Sequence, residues 1–128
     1  TLRALHTAHP QLILGVHTCA STPPLDVRGL PLDVLHLDVH APGFDATRLL
    51  LPPDAEFVPG IVPTLSETTA EQLGPLLQRI AAQLPVRRIA PSCGLGLLSP
   101  ARAAAVLGTL DELSYAPTGD QSERSARA

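Results

Sequence analysis

The chain has 128 residues, 45% of them apolar, and a formal charge of −3 in which all nine basic residues are arginine. That length suits one core and one domain of ordinary size. No basic run is available to neutralise phosphates, which argues against a nucleic-acid partner, and no apolar stretch approaches the roughly 20 residues that cross a bilayer.

Residues 1–8 read as the last turns of a helix closed by Pro10. Leu12 to Val16 form a buried strand, stopped by Pro23-Pro24, and a helical turn around Leu25 to Leu30 leads to a second strand, Leu32 to Val39. Pro42-Gly43 is a turn, a short helix lies near Asp45 to Leu51, and a brief strand from Phe57 to Val62 is interrupted at Pro59-Gly60. Thr68 and Glu71 read as a capping box opening an amphipathic helix through Leu73, Leu76, Leu77, Ile80, Ala81 and Leu84, kinked or restarted at Pro75. Val86 to Ala90 is the fourth strand. Ser99-Pro100 then opens a last helix reaching about Leu113, and residues 116–128 read as a disordered tail after a domain at 1–115. A helix followed by four βα units implies an α/β fold with parallel strands and right-handed crossovers.

The chemistry concentrates at strand ends. His17 and Cys19, two residues apart, leave one face of a strand; Cys93 follows the fourth strand; Asp38 ends the second. A metal bound by His17, Cys19, Cys93 and a carboxylate would have mixed N, S and O ligands, a set that suits zinc better than hard cations. His36, Asp38 and His40 alternate onto one strand face, so each is within reach of the metal; Asp38 is the choice because an anion offsets the dication, with His40 orienting a carboxylate. Taken singly, the two cysteines would be small core residues and His17 a hydrogen-bonded one. Gly94 and Gly96 lack the spacing and lysine of a phosphate loop and read as a tight turn. Phe44, Phe57 and Tyr115 are the only aromatic residues, leaving little surface on which to stack a ligand. With no signal peptide ahead of the cysteines, the expectation is a cytoplasmic protein with reduced thiols.

In this order, His-x-Cys at one strand end, Asp-Val followed by an acid at the next, and Pro-x-Cys-Gly-Leu before the last helix resemble the C-terminal catalytic barrel of cobalamin-independent methionine synthase, in the superfamily that includes uroporphyrinogen decarboxylase. The resemblance spans about residues 11–113. It implies the C-terminal half of a (β/α)8 TIM barrel, with zinc held by His17, Cys19, Asp38 and Cys93, and transfer of a methyl group from a small-molecule donor to a homocysteine-like thiol. Asp38 stands where the family has glutamate, and Pro63-Thr64-Leu65-Ser66 stands where it has an Asp-x-His-Ser segment, so only Ser66 matches there. The alternative expectation is a truncated, non-catalytic zinc-binding relative. Four βα units are half of a barrel of about 250 residues. A second copy, or a preceding half-barrel, is therefore expected against an apolar inner face that includes Leu12, Leu14, Val34 and Ile89.

Overall fold

The computed structural model describes residues 1–21 and 25–115; the expected stop at Pro23-Pro24 and the expected tail at 116–128 lie outside them. Four parallel strands form one sheet in the order β1 (Gly15–Thr18), β2 (Val34–Asp38), β3 (Glu56–Val62) and β4 (Ala90–Pro91). Among the described residues three helices accompany them: α1 (Leu2–Ala8), α2 (Ala70–Ala81) and α3 (Pro100–Tyr115), with a 3-10 turn at Ala46–Arg48. The α/β class and the parallel sheet follow the sequence pattern. No helix among the described residues is long and apolar enough to cross a membrane.

Register sorts the strand residues into two faces. Val16, Leu35 and Phe57 share one row, and Leu37 and Pro59 the next, on the face covered by α2 and α3. Leu35, Leu37, Phe57 and Ile61 are at most 2% exposed and pack with Leu73, Leu77 and Ile80 of α2 and Val106 and Leu113 of α3. Removing this apolar surface from water, at about 25 cal/mol per Å², is what holds the two layers together. The opposite face carries Gly15, Val34 and Glu56 in one row and His17, His36 and Val58 in the next. Of the residues expected on an open apolar face, Val34 is there. Leu14 is instead buried, because it lies two residues before Val16 and shares its direction, and Leu12 is exposed outside any strand.

Several boundaries differ from the sequence reading. The first strand begins at Gly15, the residue that pairs with Val34, and runs to Thr18 rather than from Leu12 to Val16. The capping box is Thr69 with Gln72, one residue later than Thr68 with Glu71: the Thr69 hydroxyl accepts from the Gln72 N–H, and the Gln72 amide oxygen from the Thr69 N–H. Helix α2 continues through Pro75. The fourth strand is only Ala90–Pro91, with Val86 touching β3 as an isolated bridge to Phe57.

Strand β3 is continuous through Pro59-Gly60 for a reason of direction. Glu56 donates its N–H to Asp33 beside β2, whereas Phe57 donates to Pro85 on the other side. Two residues on from Phe57, Pro59 would aim its missing N–H toward the gap between Val86 and Ala90, where no strand waits for it. Ala41-Pro42-Gly43-Phe44 is the expected turn, closed by Phe44 N–H to Ala41 C=O at 3.2 Å, with Gly43 at φ 85° as a type II turn requires.

Candidate metal centre

Strands β1 and β4 are opposite edges of the sheet. Three strand spacings of about 4.8 Å would hold them about 14 Å apart if the sheet were flat. Yet Cys19, just past β1, and Cys93, just past β4, have their sulfurs 3.4 Å apart. The chain beyond β4 reaches back over the sheet, and Gly60 is what admits it. A Cβ at Gly60 would lie 2.8 Å from Ser92 Cα, 2.9 Å from Leu37 O and 3.1 Å from His36 Nε2. Glycine allows the closest approach of backbone to backbone.

Residues 91–93 are fastened on three sides. Pro91 C=O accepts from His36 Nε2 at 3.1 Å, Ser92 donates its N–H to Val62 C=O at 2.9 Å, and the Ser92 hydroxyl accepts from Thr64 N–H at 3.3 Å. The His36 ring stacks on His17 with centroids 4.4 Å apart, so it ties the first ligand-bearing strand to the last. Burial, then the neighbouring His17 charge, lowers the His36 pKa, which favours a neutral ring with Nε2 protonated toward Pro91. After Cys19 the chain turns under a hydrogen bond from Ala20 N–H to the Thr18 hydroxyl.

The result is a group of one imidazole and two thiols, His17, Cys19 and Cys93, with potential ligand atoms all within 4.8 Å of one another, that could hold a metal ion. His17 and Cys19 are exposed and Cys93 is half-buried. The hydrogen bond from Cys93, then repulsion between the two sulfurs as anions, raises the Cys19 pKa above its ordinary value. Metal entry therefore has to displace protons.

Asp38 lies outside this trio, although its charge also bears on Cys19. Its Oδ1 accepts from His40 N–H at 2.8 Å. The backbone of His40, rather than its ring, thus orients the carboxylate. The ring turns to Ile61 C=O at 2.8 Å. That carbonyl belongs to the extra residue of a register shift, in which β3 advances from Gly60 to Val62 while β4 advances from Ala90 to Pro91. Gly94 and Gly96 have open space around them, unlike Gly60. The sequence reading recognised neither Gly60 nor Ser92 as part of the site; a glycine inside a β-branched, fully buried strand was the available signal.

No known family model matches the chain, and no curated protein or solved structure is significantly similar to it. Fold and site together define an α/β protein with a thiol–imidazole cluster at the C-terminal edge of a parallel sheet.

Proposed function

We propose that the protein is a zinc-dependent methyltransferase that delivers a methyl group to a homocysteine-like thiol, on a half-barrel of the cobalamin-independent methionine synthase kind. The observation that carries this reading is the convergence of His17, Cys19 and Cys93 from opposite edges of the sheet. Two thiolates at zinc bond lengths of about 2.3 Å and tetrahedral angles would sit about 3.8 Å apart. The observed 3.4 Å separation needs only a small opening to fit. His17, Cys19 and Cys93 would hold the ion, and Asp38, whose charge reaches Cys19 though it lies outside the trio, would have to move closer to supply the fourth ligand through its other oxygen. Bound zinc would supply a lowered pKa to an incoming thiol, making a thiolate available at neutral pH.

The chain's own residues prepare the place. His36 stacks on the His17 ring and pins Pro91, and Gly60 leaves room for Ser92, so the protein's own contacts bring the ligand-bearing segments together. Sequential strand order supports the half-barrel, since barrel strands follow one another around the ring whereas doubly wound sheets reverse at a switch point. On this reading a second copy or further strands would cover the outer edges of β1 and β4.

A second reading, a zinc-binding module that performs no transfer, is favoured by the loop after β3. Leu65 stands there 95% exposed, in the segment where the resemblance would put an acid and a histidine, and Arg102 holds the loop by donating to the carbonyls of Pro63 and Ser66. Protein prepared without chelator should contain about one zinc per chain by elemental analysis. Methyl transfer to homocysteine, assayed with several methyl donors, then separates the readings. Bound zinc without transfer favours the module, whereas absent zinc with both thiols titratable refutes both.

A further inference from the structure

We propose that Cys19 and Cys93 are an oxidisable dithiol that closes to an intramolecular disulfide when no metal is bound, so that metal occupancy and oxidation are mutually exclusive states of the same two sulfurs. The dithiol part rests on geometry alone; the exclusion part rests on the zinc reading above. The sulfurs are 3.4 Å apart, and closing them to a bond of about 2.05 Å asks for a movement of about 1.4 Å. Both residues stand just beyond strand ends, so side-chain rotation and small adjustments of the turns can supply that movement without breaking a strand pairing. Cys19 is exposed and Cys93 half-buried, so a small oxidant reaches the pair from solvent. The chain holds two cysteines, so within it each has a single possible partner.

With hydrogen peroxide as oxidant the step balances. The sulfur of Cys19, the more exposed, attacks one peroxide oxygen as its thiolate; an S–O bond forms, the O–O bond breaks, and the departing hydroxide takes up a proton as water. Cys93 sulfur then attacks Cys19 sulfur; the S–S bond forms, the S–O bond breaks, and hydroxide leaves as water with the proton of the Cys93 thiol. Two thiols and one peroxide give one disulfide and two waters, with two electrons passing from sulfur to oxygen. The product has lost two of the three clustered ligands, and a reducing thiol restores them.

The experiment uses the whole chain, stripped with a chelator or loaded with zinc, and exposed to hydrogen peroxide. In the stripped protein the thiol titre should fall from two per chain to none, with non-reducing peptide mapping linking residue 19 to residue 93 and dithiothreitol reversing both changes. Zinc-loaded protein should oxidise several-fold more slowly. Cys93→Ser, which leaves Cys19 without a partner, should yield a sulfenic acid trapped by dimedone. An unchanged titre, chain-to-chain disulfides, or sulfinic acid on separate cysteines would overturn the dithiol. A linked pair that forms equally fast with zinc present would overturn the exclusion and, with it, the zinc reading, while leaving the dithiol standing.

Discussion

Replacing Gly60 by alanine puts a single methyl group where the site is tightest. In an uncrowded strand the change should stabilise by about 0.5–1 kcal/mol, because alanine loses less backbone entropy on folding. Here the new Cβ would meet Ser92 Cα at 2.8 Å and Leu37 O at 2.9 Å, both backbone atoms, and His36 Nε2 at 3.1 Å. Backbone cannot swing aside as a side-chain tip can, so overpacking of about 1–3 kcal/mol should outweigh the entropic gain. At about 4 °C per kcal/mol for a chain of this size, the midpoint of thermal unfolding should drop by several degrees. Gly74→Ala serves as the control, since that glycine lies inside α2 with nothing within 4 Å, and it should raise the midpoint. The clash also pushes residues 91–93 outward, so Gly60→Ala should weaken zinc binding in a competition titration while Gly74→Ala leaves it unchanged. A Gly60→Ala protein as stable as its parent, with the same zinc affinity, would refute the argument that Gly60 exists to let Ser92 come close against β3.

Cys93→Ser should lose more zinc than His36→Ala by elemental analysis, since Cys93 offers a ligand atom and His36 only holds its neighbours in place; equal losses would mean the ligands are wrongly chosen. Arg88→Ala should destabilise slightly at neutral pH, because the Glu56 carboxylate loses a two-pronged partner whose exposed side is screened by water. Arg88 hydrogen bonding lowers the Glu56 pKa, so this contribution is full above the ordinary carboxylate value and is lost as pH falls through the folded one. Denaturant titrations should accordingly show the gap between parent and variant closing below about pH 4, and a gap independent of pH would refute the assignment. Sedimentation at micromolar concentration should reveal self-association through the outer edges of β1 and β4, and a compact monomer of this chain would refute that.

Much of this architecture was legible because its causes are local. Leu35 and Leu37 alternate with Val34, His36 and Asp38, and that period of two gives both the strand and its buried face. His17, Cys19 and Cys93 were legible as ligands by residue type and by their places after apolar runs. Less legible were features decided by what lies across the sheet. Thr68 and Thr69 are equivalent as caps by type, and the choice fell to the residue whose third neighbour, Gln72, could reach back. Pro59 looked like an interruption because a sequence does not say on which side a neighbouring strand begins. The role of Gly60 depends on Ser92, 32 positions away by residue number: a glycine within an apolar strand hints at a close approach, but its neighbours in sequence do not say by what.

The two sulfurs are separated by 74 positions, and that has a bearing on how the protein is made. A cross-link spanning so long an interval, whether ion or covalent bond, removes conformations chiefly from the unfolded chain, an effect on the order of 4 kcal/mol in a simple loop-closure treatment. During synthesis, residues 15–19 emerge long before 90–93, and the early half of the cluster offers only one imidazole and one thiol to any passing ion. On the zinc reading, tight metal capture would then have to wait for Cys93, and a nascent chain arrested before it would release metal to a competing chelator more readily than the full chain.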